Sequence, residues 1–232
     1  MYTNDKEFFL KEGYIIVENF LSTEETMKLK QELQSVFNSG QPMKCRIEVD
    51  QEKLKGQGVF IGVSRINDEV KNLVHSDKIL SLLTNLTDSS MSFTDDKIVF
   101  KDAKTDFGSP WHQDWYYWKG SQKLSVWISL DDVTQDDGCL IVVPGSHKQR
   151  YEHIDLREDG FSKSVLPSDI KEDDLKSLPV QAGSIIILHD LLLHASHPNS
   201  SGKDRWAFIP TYTEVNWNLK EILEGKLPIS SK

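Results

Sequence analysis

The alternation of apolar and polar positions divides the chain into a helical first part and a strand-rich remainder. Residues 8 to 20 read Phe-Phe-Leu-Lys-Glu-Gly-Tyr-Ile-Ile-Val-Glu-Asn-Phe, in which Gly13 ends a short helix and Tyr14 to Val17 form a strand. Ser22-Thr23-Glu24-Glu25 follows, a serine N-cap with a glutamate three residues on, where each side chain can satisfy a backbone donor of the other. Met27, Leu29, Leu33 and Phe37 come next at helical spacing and predict an amphipathic helix with that face to the core. A second helix is expected over residues 69–85. Beyond it the apolar runs become short, β-branched and aromatic, and residues 97–101, 111–118, 123–130, 139–143, 184–188 and 205–213 each read as a strand. Several short strands separated by turn signals predict a sandwich or barrel rather than a parallel α/β sheet.

Residues 151–178 break this rhythm, being polar, charged and weakly periodic. A connection of that length is expected to be a lid or binding loop, or else a surface excursion. The chain contains no internal repeat and no low-complexity tract. Its 232 residues suit one all-β core, so a single domain over 1–232 is expected.

Composition narrows the function classes. A hydrophobic content of 38%, a charged content of 27% and a mean hydropathy of -0.44 belong to a folded, water-soluble chain. The net charge of -9 argues against nucleic acid as a partner, because affinity for phosphates comes from clustered Lys and Arg. The first residues carry acids and no apolar leader, and no stretch is long and apolar enough to cross a bilayer, so a cytoplasmic protein without a membrane partner is expected. Cys45 and Cys139 are too few for a disulfide framework and are expected to be reduced thiols.

Candidate chemistry begins with a histidine and an aspartate at i and i+2, which on a strand point to the same face and can both bind one metal ion. The spacing occurs three times, so context must choose. His75-Ser76-Asp77 sits at a helix start, where Ser76 or Asp77 serves as an N-cap. His153-Ile154-Asp155 falls in the charged excursion and is expected to be solvated. His112-Gln113-Asp114 lies between Pro110-Trp111 and Trp115-Tyr116-Tyr117-Trp118, an aromatic run able to wall a substrate site or to pack a core. The third ligand is expected to be His194, which follows the apolar run Ile185 to Leu193. With a turn at Pro198-Asn199-Ser200-Ser201-Gly202, a symmetric hairpin places His194 opposite Arg205, with Ser196 on the same face as His194. An arginine entering an apolar sheet requires an anionic partner. Two histidines, an aspartate and a recessed arginine therefore describe a facial metal triad beside a fork for a carboxylate; such a triad suits iron(II), although zinc and manganese accept the same donors.

These residues stand in a longer series of motifs. Gly13-Tyr14-Ile15-Ile16-Val17 with Phe20-Leu21-Ser22, Trp111-His112-Gln113-Asp114, Val126 to Asp131, Asp137-Gly138-Cys139-Leu140 through Pro144-Gly145-Ser146-His147-Lys148, and Leu193-His194-Ala195-Ser196 with Pro198-Asn199-Ser200 and Arg205 follow in order. The series resembles the phytanoyl-CoA dioxygenase family of Fe(II)/2-oxoglutarate oxygenases. The resemblance implies a mainly β fold with flanking helices, a double-stranded β-helix of jelly-roll, cupin-like form, with a helical part over about 1–90 and the jelly-roll core over about 91–215. It implies His112, Asp114 and His194 as ligands of Fe(2+), with 2-oxoglutarate and O2 as cosubstrates. By the same resemblance Arg205 binds 2-oxoglutarate, with Ser196, Gln113 and Trp127 in contact with it and Arg65 at a further cosubstrate position; Pro144 to His147 is a structural turn. The expected reaction is hydroxylation of a small or medium organic molecule with release of succinate and CO2. Halogenases of this superfamily lack the carboxylate ligand, so Asp114 favours hydroxylation or a related oxidation such as desaturation or cyclisation. The alternative from another class is a non-catalytic metal- or ligand-binding module of the same fold.

Overall fold

The computed structural model describes residues 2–39, 58–102, 108–118, 123–155, 163–166, 168 and 170–215; Cys45 and parts of the 151–178 excursion lie outside the described residues. Helix α1 (Tyr2–Glu12) stops at Gly13, whose φ of 82° is favourable only for glycine, and strand β1 (Tyr14–Val17) follows directly. The expected capping box opens α2 (Thr23–Ser39): Glu25 N donates to Ser22 Oγ at 3.1 Å, and Ser22 N donates to Glu25 Oε2 at 2.7 Å. The buried face of α2 is Thr26, Leu29, Leu33, Val36 and Phe37, and Met27 is 58% exposed. Met27 was expected on the core face, but two residues of helix separate it from Leu29 by about 200° of rotation, which turns it to solvent.

The helix expected over 69–85 is two helices, α3 (Asp68–Val74) and α4 (Asp77–Thr87). Asn67 caps the first by accepting from Val70 N at 3.0 Å, and Ser76 takes extended backbone as the N-cap of the second, so the chain turns at His75-Ser76. The later strands are β2 (Val59–Ile61), β3 (Met91–Lys101), β4 (Ser109–His112), β5 (Lys123–Ser129), β6 (Leu140–Val142), β7 (Ile154–Asp155), β8 (Lys163–Ser164), β9 (Lys176–Leu178), β10 (Ile185–His189), β11 (His194–Ser196) and β12 (Arg205–Glu214). The run expected as one strand over 111–118 ends at His112, and its aromatic residues form the short helix α5 (Trp115–Trp118).

Two antiparallel sheets organise these strands. One has the order β1-β10-β5-β12-β3-β2 and the other β4-β11-β6-β9; β7 and β8 pair with each other. Alternation along the strands divides the core in two. Ile185, Ile187 and Phe208 join Leu33, Phe37, Val74 and Leu83 against the helices, whereas Ile186, Leu188, Ala207 and Ile209 pack with Trp127, Leu140, Val142 and Leu178 between the sheets. The result is the expected jelly-roll, double-stranded β-helix architecture. The hairpin expected between His194 and Arg205 is absent: β11 pairs with β4 and β6, while β12 pairs with β3 and β5. The turn at 198–202 instead carries the chain from one sheet to the other. Asn199 holds that crossing by donating from Nδ2 to Lys203 O at 2.6 Å and to Lys101 O and Asp102 O at 3.3 Å each.

Because Leu33 is fully buried and Met27 is not, Leu33→Ala should lower unfolding free energy by about 2–5 kcal/mol, and Met27→Ala should change it by less than about 0.5 kcal/mol. Urea denaturation of both variants checks the helix rotation; equal losses would refute it.

Candidate metal centre

The register of the smaller sheet creates the site. His194 is paired directly with His112 across β11 and β4, and its other neighbour is Val142 of β6. The imidazole ring centres lie 4.2 Å apart. Asp114, two residues beyond His112, brings Oδ1 to 3.6 Å from His112 Nε2 and 3.9 Å from His194 Nε2. All three residues are buried, and one ligand atom from each lies within 4.8 Å of the others. Each ring is oriented by its Nδ1, which meets Pro110 O at 2.8 Å in His112 and Leu192 O at 2.9 Å in His194. A carbonyl can only accept, so Nδ1 carries a proton and Nε2 is the nitrogen turned to the centre. Ser125 Oγ donates to Asp114 Oδ2 at 2.8 Å, which leaves Oδ1 to face the two nitrogens.

Electrostatics favour the metal-ready protonation states. Burial raises the Asp114 carboxyl, but the facing His112 ring and the nearby Lys97 ammonium outweigh it and hold the group well below the usual carboxylate range. Burial, with the neighbouring His112, brings His194 down to about 4, so it is neutral at pH 7. Two imidazoles and one carboxylate on one side of a centre form the facial set that suits Fe(II) and leaves positions for other ligands.

A second feature lies farther along the same strands. Ser196, two residues after His194, accepts at Oγ from Lys101 Nζ and from Ser109 N, each at 2.9 Å. Lys101 is paired in register with Arg205. Arg205 is 2% exposed. Its Nη2 donates to Gly138 O at 2.8 Å, while Nε and Nη1 are buried with no hydrogen-bond partner among the described residues. The guanidinium carbon sits 5.5 Å from the centre of the Trp127 ring. Burial brings Arg205 down to about 10, and the nearby Asp131 and Asp137 only partly counter it. A buried cation with donors still unused on its guanidinium can receive a carboxylate. Gly138 is needed beside it: its φ is 78°, and a Cβ there would stand 2.7 Å from His197 O.

Other expected residues have different neighbours. Gln113 is fully buried and points away from the metal ligands; its Nε2 donates to Gln149 O and Leu191 O at 2.9 and 2.6 Å, and its Oε1 accepts from Tyr151 N at 3.0 Å. These bonds staple the flanking loops and leave its amide hydrogens no place for a cosubstrate. Arg65 forms an ion pair with Asp95 at 3.2 Å. His153, expected to be solvated, is half-buried: it stacks on Tyr116 with centroids 3.7 Å apart and accepts from Gln113 N at 3.0 Å. Among the described aromatic side chains of the 115–118 run, Tyr117 meets His112 edge-on at 5.7 Å, whereas Trp115 lies beneath the Arg150 guanidinium. Ser125, Lys97, Lys101 and Ser146, whose Oγ accepts from Leu193 N at 2.9 Å just before His194, were not singled out from sequence. A usable signal existed for three of them: Ser125 alternates with Trp127, and Lys97 and Lys101 alternate with Val99, on strands whose other faces are apolar.

Comparison with known proteins agrees with this geometry. The profile of the family described as Phytanoyl-CoA dioxygenase (PhyH) matches residues 9–207. A relative from Stutzerimonas stutzeri, named probable alpha-ketoglutarate-dependent hypophosphite dioxygenase, is 28% identical over 87% of this chain and 74% of its own. The L-proline trans-4-hydroxylase of Streptomyces griseoviridis is 24% identical over 88% of this chain and 84% of its own. Among solved structures, EvdO2 from Micromonospora carbonacea var. aurantiaca complexed with 2-oxoglutarate has the same fold, with a TM-score of 0.73 at 20% identity over 91% of this chain and 90% of that one. With the motif series, the triad and the buried arginine in place, the chain belongs to the phytanoyl-CoA dioxygenase family and is an Fe(II)- and 2-oxoglutarate-dependent oxygenase.

Proposed function

We propose that this enzyme hydroxylates a small or medium organic substrate, with His112 Nε2, Asp114 Oδ1 and His194 Nε2 holding the iron and Arg205 holding the distal carboxylate of 2-oxoglutarate. The observation that carries the reading is the buried, half-satisfied guanidinium of Arg205, linked to the triad through Lys101, Ser196 and His194. A buried cation left in this state is costly, and a bound carboxylate removes the cost.

Iron held by His112, Asp114 and His194 would supply the O2 chemistry by which 2-oxoglutarate gives succinate and CO2, one oxygen atom going to succinate and the other to the substrate. The chain's own residues prepare for this. The Pro110 and Leu192 carbonyls keep both imidazoles in the tautomer that offers Nε2, and Ser125 occupies the Asp114 oxygen that faces away. Ser196, with its hydroxyl already oriented by Lys101 and Ser109, and Trp127, beneath the guanidinium, wall the carboxylate end. The apolar cluster between the sheets excludes water from the same side. The substrates named for the two relatives, hypophosphite and L-proline, are both small, and a recessed site with Tyr117 at the metal suits a ligand that can be enclosed. Desaturation or cyclisation would use the same residues.

A panel of small molecules scored for substrate-dependent succinate release should yield a product heavier by one oxygen atom. Robust turnover of a protein or polynucleotide would overturn the substrate class, and a product of unchanged oxygen content would favour desaturation or cyclisation.

Anaerobic addition of Fe(II) and 2-oxoglutarate should produce a weak visible charge-transfer band, which His112→Ala or His194→Ala removes. A band that survives both changes would mean that other residues hold the metal.

Arg205→Met should raise the half-saturating 2-oxoglutarate concentration by roughly 30-fold to several thousand-fold, corresponding to the loss of about 2–5 kcal/mol from one half of a desolvated charge pair. Arg205→Lys should recover only part of this, because a lysine lacks the fork. An unchanged half-saturation point in folded, iron-loaded Arg205→Met would make the arginine structural.

A further inference from the structure

One cation on the inner wall is not used by the site as described so far. Lys97 lies on β3 in register with Ile209 of β12. Ile209 packs in the cluster between the sheets, as does Val99 two residues along β3, whereas Ile98 belongs to the cluster against the helices. Strand alternation therefore turns Lys97 toward the metal-bearing sheet. Its positive charge is near enough to act on both Asp114 and His194, which lie on that opposite sheet or just beyond its strand. The side chain is half-buried, and among the described residues its ammonium makes no hydrogen bond or ion pair.

Its neighbours on the wall have partners. Lys101 is held by Ser196 Oγ and the His197 carbonyl. Asp95, two residues before Lys97, is engaged by Arg65. Arg205 is matched by the distal carboxylate in the reading above. Lys97 is thus a cation in a half-buried position with no ion-paired acid among the described residues.

We infer that Lys97 anchors a negatively charged group of the substrate, so that the enzyme acts on small oxyanions such as carboxylates or phosphonates. A lysine is a compact point charge on a flexible stem, suited to an oxyanion whose position varies with the substrate. The anchor fixes one end of the molecule on the β3 wall and leaves the other end to meet the metal face near Tyr117. The inference rests on the reading of the triad and Arg205 given above.

The test uses full-length protein loaded with Ni(II) and 2-oxoglutarate, which does not turn over, titrated calorimetrically with acetate and methylphosphonate and with their uncharged counterparts acetamide and dimethyl methylphosphonate. The anions should bind at least tenfold more tightly than the neutral molecules. Lys97→Met should weaken anion binding by about 10- to 100-fold, the scale of one charge-assisted hydrogen bond, with Lys97→Arg keeping most of the affinity and Lys97→Glu abolishing it. Affinity for 2-oxoglutarate should move far less in Lys97→Met than in Arg205→Met. Equal binding of charged and neutral probes, no binding of either anion, or unchanged anion affinity in folded Lys97→Met and Lys97→Gln would overturn the inference. So would a loss of 2-oxoglutarate affinity in Lys97→Met as large as that in Arg205→Met, which would assign the lysine to the cosubstrate. A wild-type protein that takes up Ni(II) but no 2-oxoglutarate would instead remove the underlying reading, and the inference with it.

Discussion

The direct pairing of His194 with His112 across two neighbouring strands is the contact on which the site depends. Residues far apart in the chain become immediate neighbours only if β11 is inserted between β4 and β6, and that position is held from both sides. Ser146 Oγ receives the Leu193 amide just before His194, and Ser109 donates to Ser196 just after it. A short strand contributes little pairing of its own, so these side-chain bonds at its two ends set its register. A slip of one residue would turn His194 to the other face and dissolve the triad.

The second constraint is electrostatic. The chain carries a net charge of -9, yet the inner wall of the larger sheet presents Lys97, Lys101 and Arg205. Acids on the outer surface remain solvated at little cost, whereas each cation drawn inward loses hydration and requires compensation. Lys101 is compensated by a hydroxyl and a carbonyl, and Arg205 by one carbonyl and the face of Trp127. Neutral dipoles solvate these charges without cancelling them. The site therefore keeps a positive potential that anionic ligands can use, and net charge alone does not describe the chain's preference for partners.

Local signals in the sequence were legible wherever the physics is local. The capping box at Ser22 and the stop at Gly13 depend on a few adjacent residues, and the structure has both; Ser76 takes the N-cap position of α4, but its hydroxyl makes no capping bond among the described residues. The histidine-aspartate pair at 112 and 114 was distinguishable from its two competitors by its flanking residues. Arg205 could be recognised as a buried cation, but the route to it could not, because the turn at 198–202 looks like a hairpin whether its strands pair with each other or with different sheets. That choice is made by β3 and β5 competing for β12, and by Asn199 bonding three carbonyls at the crossing. His153 departs from expectation for a similar reason: charged neighbours imply solvent, but the ring's partners are Tyr116 and the Gln113 amide, remote in sequence.

Gln113 shows how the rest of the excursion acquires its place. Between two ligands that face inward, the middle residue must face outward, and here outward is not solvent but the space beneath residues 149–153 and 191. An amide buried there must satisfy two donors and an acceptor, and the backbone groups available to it are Gln149 O, Leu191 O and Tyr151 N. The same strand supplies Trp111 O to Val165 N at 2.7 Å, and Tyr116 donates its hydroxyl to Tyr151 O. Tyr151, His153 and Val165 of the 151–178 excursion are thus fastened to the segment that carries His112 and Asp114, and loss of the Gln113 amide would disturb the metal ligands and these attachments together.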